Sequence, residues 1–183
     1  MNHLEFQPIA NGSSLVTRHL SLKLWYAAYT CANHEKCIAE QLAARSVEHF
    51  LPLYESVRRW KDRRVTLQMP LFPGYVFVRL ALRDRLQVLQ IPSVAKLVSF
   101  NGAPTPLPEA EIEALKAGLE RGVQAMPHTY LKVGRRVRII AGPLEGLEGI
   151  LIRKRGNHRL VVSLDLIQSS IAVHTEADWL EPL

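Results

Sequence analysis

Two cysteines and a histidine stand close together near the front of the chain, at Cys31, His34 and Cys37. Thiolates and imidazoles are the ligands that zinc prefers, and a structural zinc site usually takes four of them. This cluster offers three, and no fourth donor follows at a usual spacing. Cys37 adjoins Ile38 on a predicted helix, so we expect it to be a small buried side chain. We therefore predict no metal site.

Residues that could perform catalysis are not brought together by any pattern in the sequence. Ser163, Asp165 and His174 are the side-chain types of a hydrolase triad, but they fall on short predicted strands without a nucleophile elbow. Neither the lysine-bearing phosphate loop nor the dinucleotide fingerprint occurs. We predict that the protein is not an enzyme and needs no cofactor.

The segment from Glu55 to Gln68 has the composition of a binding surface. Its cations and its tryptophan are Arg58, Arg59, Trp60, Lys61, Arg63 and Arg64. Only Glu55 and Asp62 oppose that charge, so the segment is too polar for a core and predicts a protruding hairpin or loop. Either it is a solvated loop, or its cations neutralise nucleic-acid phosphates while the indole stacks on a base.

The stretch PLFPGYVFV, residues 70–78, surrounds a proline–glycine pair with aromatic side chains. Pro73 lacks a backbone donor and Gly74 accepts a positive φ, so the chain turns there. The β-branched and aromatic run that follows predicts a strand, with Tyr75 and Phe77 on one face and valines on the other. One set must face a core. The rings either fill that core or form a rigid surface for a partner.

Totals for the chain limit the remaining choices. It has 183 residues, a net charge of +6 and a pI near 9.6, which permits contact with nucleic acid without requiring it. Two cysteines make no disulfide framework, so we expect a reducing cytoplasm. No apolar run approaches the ~20 residues of a membrane span, and we expect no membrane contact.

Hydrophobic periodicity predicts two domains. Strands and helices alternate up to about residue 120, which is typical of an α/β sandwich. Beyond residue 131, short β runs separated by glycines predict a small all-β barrel of about five strands, in preference to a helical hairpin. The predicted boundaries are a flexible extension at 1–20, the first domain at 21–121, a linker at 122–130 and the second domain at 131–183.

Both domains resemble a known family. The first is similar to the NusG N-terminal domain of transcription elongation factors, and the second to a KOW domain. The first resemblance rests on Trp25-Tyr26, Glu35-Lys36 and, above all, LFPGYVFV at 71–78. The second rests on Val133-Gly134, Val137-Arg138-Ile139, Gly142-Pro143 and Leu147-Glu148-Gly149. The implied fold class is α+β, an α/β sandwich followed by a small SH3-like KOW β-barrel.

The resemblance also implies partners. In the family, the sheet face and the aromatic kink grip the clamp helices of RNA polymerase, and the matching positions here are Tyr29, Phe72, Tyr75 and Phe77. The basic segment would face the upstream DNA fork. The protein is expected to be a monomer.

The KOW domain of the family meets a small-subunit ribosomal protein or the termination factor Rho through one loop. That loop corresponds to residues 165–170, where Leu166 and an exposed Ile167 would make the contact. Family members tend to carry Phe-Gly there, and Ile167-Gln168 departs from that pair, which puts the Rho contact in doubt.

Three functions remain open. The first is a factor that rides on polymerase and suppresses pausing or termination at a few operons, which the loop departure, the basic hairpin and the N-terminal extension favour. The second is a general housekeeping NusG that couples polymerase to the ribosome or Rho. The third, a ribosome- or RNA-binding KOW protein, fits the large N-terminal domain less well.

Overall fold

The structure, a computed structural model, describes residues 21–128, 134–154, 157–175 and 177–183. The predicted extension at 1–20 lies outside the described residues, as do residues 129–133, which include the end of the predicted linker and the start of the predicted second domain. In chain order the strands are β1 (Lys23–Thr30), β2 (Glu48–Phe50), β3 (Leu53–Arg59), β4 (Arg64–Pro70), β5 (Tyr75–Ala81), β6 (Val94–Leu97), β7 (Ser99–Phe100), β8 (Ala103–Pro104), β9 (Ala125–His128), β10 (Arg135–Ile139), β11 (Glu148–Lys154), β12 (Asn157–Leu164), β13 (Ser169–His174) and β14 (Leu180–Pro182). The α-helices are α1 (Glu35–Ala44), α2 (Leu86–Leu89) and α3 (Glu109–Glu120).

The N-terminal domain is built on a four-stranded antiparallel sheet with the order β2-β5-β1-β6. β1 is central, as its large side chains on both faces predict. In register, Ala27 lies opposite Phe77 and Tyr29 lies opposite Tyr75. The two predicted strands are therefore neighbours, and the proline–glycine pair that precedes β5 closes one end of the sheet.

One face of this sheet is covered by α1 and α2. Tyr26 and Val78 of the sheet share a buried cluster with Ile38 and Leu42 of α1, which lie four residues apart on one side of the helix. The helix begins after His34, and no side chain caps it.

The other face is covered by α3. Trp25, Ala27 and Phe77 are buried in a second cluster that includes Ile112 and Leu115 of that helix. Because helices cover both faces, Val76 and Val78 are buried on one face of β5 and Phe77 is buried on the other. The prediction that one set must face a core is met on both faces of the strand.

Two hairpins extend the N-terminal domain. β3 and β4 pair over their whole length as a separate two-stranded ribbon, so the segment 55–68, predicted as a hairpin or a loop, lies in a hairpin. β7 and β8 form a much shorter hairpin, closed by Asn101 and Gly102, both with positive φ.

The C-terminal domain is a six-stranded antiparallel sheet with the order β14-β10-β11-β12-β13-β9. Its sixth strand, β9, falls within the predicted linker and pairs with β13, so that Met126 lies opposite Ala172. The fold class is confirmed: a mixed α/β domain is followed by a β domain. None of the described helices is long and apolar enough to cross a membrane.

The two domains pack against each other. The cluster beneath α3 continues into the C-terminal domain, where it includes Leu144, Leu147 and Ile167. Leu144 packs on the backbone of Gly118, so closely that a Cβ built on this glycine would overlap Leu144 Cδ2. The absence of a side chain at Gly118 is therefore what admits Leu144.

Candidate functional site

The aromatic turn at the end of the sheet is held by backbone hydrogen bonds. The Tyr75 N–H donates to the Phe72 carbonyl at 3.1 Å, and the Thr30 N–H donates to the Gly74 carbonyl at 2.8 Å. Gly74 has a φ of +82°, which its lack of a side chain permits. The turn is thus fastened to the last residue of β1.

Two tyrosines are presented at this turn. Tyr29 is 43% exposed, and its ring lies 5.4 Å from that of Tyr75, centroid to centroid, at 53°. Tyr75 is half-buried. Burial raises the pKa of the Tyr75 phenol, and the neighbouring Tyr29 raises it further. The pair presents apolar ring faces together with polar hydroxyls, which suits contact with a helix carrying apolar side chains.

Phe72 and Phe77, also expected at a partner surface, are inside the protein. Phe72 is 1% exposed and Phe77 is fully buried. Their rings meet edge to face at 5.5 Å, and Phe50 stacks on Phe77 at 6.1 Å. α3 and its cluster cover that face of the sheet, so the two rings are buried. From this position they pack beneath the turn and support it.

The basic segment forms the tip of the β3–β4 ribbon. Arg59 and Arg64 lie directly opposite each other in register, and Trp60 and Arg63 close the turn through mutual backbone hydrogen bonds of 2.9 and 3.3 Å. Trp60 is 55% exposed, with the Arg63 guanidinium 5.9 Å from its ring centroid.

The tip carries more cations than acids, with Asp62 as the one acidic residue in the range 58–64. None of the ion pairs among the described residues includes a cation of the range 58–64. Like charges directly opposite on paired strands are destabilising, so Arg59 and Arg64 together favour an anion between them. Seven residues at about 3.3 Å each make the ribbon roughly 23 Å long.

The loop expected to meet the ribosome or Rho is folded inward. Asp165–Ile167 form a 3₁₀ turn, and Ile167 is 4% exposed within the cluster shared by both domains. The expectation of an exposed Ile167 is wrong for this arrangement, because the turn directs the side chain into that cluster. Leu166 is half-buried and lines a cleft between the domains.

This cleft has a volume of about 480 Å³. The segment 105–108 forms one wall, and β11 and β12 contribute the other. Arg136 and Glu148, which pair at 3.2 Å, lie at its lining. The cleft is therefore lined by polar and apolar groups in similar measure and includes an ion pair.

The cysteine–histidine cluster is at the surface. Cys31 and Cys37 are exposed free thiols, so the prediction of a buried Cys37 is wrong: α1 turns Ile38 inward and Cys37 outward. His34 Nδ1 is within 2.6 Å of Ser93 Oγ. Among the described residues, no group of three possible ligands gathers at a metal-binding geometry.

One residue at the site was not singled out for this role from the sequence. Glu35 is 3% exposed, and its Oε1 accepts a hydrogen bond of 2.7 Å from the Gly74 N–H. An acidic residue in the first turn of a helix is ordinarily explained by its favourable interaction with the helix dipole. The sequence therefore provided no reason to predict a further contact for Glu35.

Comparison with known proteins places the N-terminal domain in a family. The family model described as "Transcription termination factor nusG" matches residues 23–116, just over half of the chain. That range contains the aromatic turn, the hairpin and most of α3.

Curated relatives extend the similarity into the C-terminal domain. The transcription termination/antitermination protein NusG of Lactococcus lactis is 27% identical over 173 residues, covering 87% of this chain and 92% of the relative. The protein of the same name from Vibrio vulnificus is 27% identical over 176 residues, covering 88% of this chain and 96% of the relative.

A solved structure shares the fold. It is described as showing domain interaction in Thermotoga maritima NusG, and it aligns with a TM-score of 0.52 at 23% identity. The alignment covers 88% of this chain and 97% of that one. With the family model matched over the sheet and its turn, the chain belongs to the NusG family of transcription termination/antitermination factors.

Proposed function

We propose that this NusG-family chain binds RNA polymerase and suppresses pausing and termination at a small number of operons. It acts by binding, in the cytoplasm and as a monomer, with no chemistry of its own. By preferring the polymerase state with a closed clamp, it shifts the enzyme's population away from paused states. The single observation that carries the proposal is the tyrosine pair at the end of the sheet, in which the exposed Tyr29 packs on the half-buried Tyr75.

The docking surface is the pair Tyr29 and Tyr75, with Phe72 and Phe77 as its support. Rings that are fixed before binding lose little conformational entropy when a partner helix packs on them. In this protein the two tyrosines lie on adjacent strands and touch, while the phenylalanines beneath them are in edge-to-face contact. The partner proposed is the clamp-helix region of polymerase.

Truncating the exposed tyrosine tests this surface. Tyr29→Ala is expected to weaken binding to purified polymerase about tenfold or more, since buried aromatic anchors carry much of an interface's energy. Phe100→Ala is the matched control, because Phe100 is an exposed aromatic at the tip of the short β7–β8 hairpin. Equal affinities for the two variants would remove the tyrosine pair from the proposed interface.

The basic ribbon tip is proposed to contact nucleic acid near the transcription bubble. Its support is the opposed pair Arg59 and Arg64, the exposed Trp60, and cations that lack ion-pair partners among the described residues. The double variant Arg59→Ser, Arg64→Ser should lower the dependence of log affinity on log salt by roughly 1.4 to 1.8, for two phosphate contacts. The variant Arg83→Ser, Arg121→Ser removes the same charge elsewhere and should leave that slope unchanged.

The C-terminal domain is proposed to bind a second partner, a ribosomal small-subunit protein or Rho, through Leu166 and Ile167. Support comes from Leu166, which is accessible at the cleft between the domains. Ile167 is buried in the hydrophobic cluster that spans both domains, so a partner reaches its side chain only when that cluster opens. Crosslinking from position 166 to the ribosome or to Rho would identify the partner, and the absence of both crosslinks would reject the proposed contact.

The range of target genes separates the specialised role from the general one. The genome-wide occupancy of the tagged protein would be measured beside that of polymerase. Accumulation on a few operons is the expected result. Occupancy that follows polymerase over most genes would instead identify the general housekeeping factor. The replacement of the family's Phe-Gly pair by Ile167-Gln168 would then be a sequence change without a functional consequence.

A further inference from the structure

A buried carboxylate lies behind the aromatic turn. Glu35 is 3% exposed and is the only buried acidic side chain among the residues that the structure describes. Burying an acid is costly unless hydrogen bonds compensate it. Glu35 has one such bond, accepted by Oε1 from the Gly74 N–H at 2.7 Å, and it also stands in the first turn of α1, where a negative charge is favoured.

This bond completes the fixation of Gly74. The Gly74 carbonyl accepts from the Thr30 N–H, and its N–H donates to Glu35, so both polar groups of the glycine are held. The preceding residue, Pro73, has no N–H to contribute. Glu35 is therefore the link between α1, on one face of the sheet, and the turn that carries Tyr75.

The glycine in turn fixes the exposed tyrosine. A Cβ built on Gly74 would lie 3.5 Å from Tyr29 Cε2, so the Tyr29 ring already packs along the glycine backbone. The same ring touches Tyr75. A shift of the Gly74 peptide would change the support of one tyrosine and the backbone position of the other.

We propose that Glu35 is a positioning residue for the polymerase-binding surface: its carboxylate holds the Gly74 peptide so that Tyr29 and Tyr75 are preorganised for their partner. The inference rests on the proposed function of those tyrosines. Without the bond, the turn samples several conformations, and a partner must order it on binding, which lowers affinity.

Three substitutions on α1 test the role. Glu35→Ala removes the acceptor, Glu35→Gln keeps an oxygen acceptor without the charge, and Glu40→Ala removes an exposed carboxylate from the same helix as a control. We expect Glu35→Ala to bind polymerase about tenfold more weakly. Glu35→Gln should stay within a few-fold of the unmodified protein, and Glu40→Ala should match it.

Hydrogen exchange at the Gly74 amide distinguishes the positioning role from a general loss of stability, which would affect many amides together. In Glu35→Ala its hydrogen exchange should accelerate and its NMR shift should change, while the amides of the β1–β5 ladder stay protected. Unchanged polymerase affinity in a variant whose Gly74 amide has been released would overturn the proposal.

Glu35→Asp keeps the inference testable if the alanine variant does not fold. It retains the charge at the helix start but shortens the side chain by one methylene, so it should fold and lose the bond to Gly74. Weakened binding by this variant supports the positioning role, and full binding with a freely exchanging Gly74 amide contradicts it. If Tyr29→Ala also binds normally, the proposed tyrosine surface itself has failed; if only the Glu35 variants bind normally, the positioning role alone has failed.

Discussion

Gly118 of α3 provides the sharpest test of the contact between the two domains. It is buried near the end of the helix, and a Cβ added there would overlap Leu144 Cδ2. Ordinary van der Waals contact begins at 3.4 Å, so an added methyl and the present Leu144 rotamer cannot coexist. Leu144 belongs to the C-terminal domain and is 4% exposed.

The substitution Gly118→Ala therefore sets two effects against each other. Alanine in a helix interior is favoured over glycine by up to about 1 kcal/mol. Overpacking a buried contact costs about 1 to 3 kcal/mol, and here Leu144 must move. We expect Gly118→Ala to lower the free energy of unfolding by up to about 2 kcal/mol. In a Leu144→Ala background the clash is gone, and the same change should raise that free energy by up to about 1 kcal/mol.

Urea unfolding of the full chain and its three variants gives the double-mutant cycle, with an expected coupling of about 1 to 3 kcal/mol. Ala117→Gly, the neighbouring position in the same helix, is the control: it should cost about 1 kcal/mol in both backgrounds. If Gly118→Ala stabilises the protein equally in the unmodified and the Leu144→Ala backgrounds, the two residues are not in contact in solution, and the reasoning is refuted.

Two further predictions concern the C-terminal domain. The hydrogen bond from Arg138 lowers the pKa of Glu148 below its ordinary 4.5, so this carboxylate contributes stability above that pH, lost as pH falls through the lowered pKa. NMR titration should find a Glu148 midpoint below 4.5 that rises in Arg138→Gln; an unchanged midpoint would contradict the pairing. Gly142→Ala should cost about 1 to 3 kcal/mol or more, because its φ is +89° and its Cβ would meet Trp179 at 2.5 Å. Gly146→Ala, with the same φ and open space, should cost less in the same urea assay.

The sequence predicts most helices and strands well, because the hydrophobic periodicity of each segment agrees with the turn residues that bound it. The apolar run at β1, the four-residue spacing of Ile38 and Leu42, and the proline–glycine turn all match the structure. The strand β9 is not predicted, since its sequence, Ala125 to His128, contains a proline and no run of β-branched residues. It forms because it lies on the edge of β13, a tertiary effect that local propensity does not encode.

Side-chain exposure at the site is harder to predict than the site itself. Period-2 alternation places Phe77 and Tyr29 on the same face of the sheet, but only the path of α3 decides which of them is covered. The resemblance of its loop predicts an exposed Ile167, but the side chain is 4% exposed within the hydrophobic cluster. For Glu35, an acid at a helix start predicts a dipole contact, and the bond to Gly74 depends on a residue 39 positions away.

The two proposed contacts differ in whether the protein must first open to make them. Tyr29 is accessible while the domains are in contact, so polymerase can meet the tyrosine pair without first separating them. Ile167 is buried in a cluster that spans both domains, so a partner that needs its side chain binds only the fraction of molecules in which that cluster has opened around it. The apparent affinity of such a partner is reduced by that fraction, and any change that opens the cluster would restore it. If both proposed contacts form, the accessible tyrosine needs no such opening and the buried isoleucine does, so the proposed polymerase contact is expected to form before the proposed contact through Ile167.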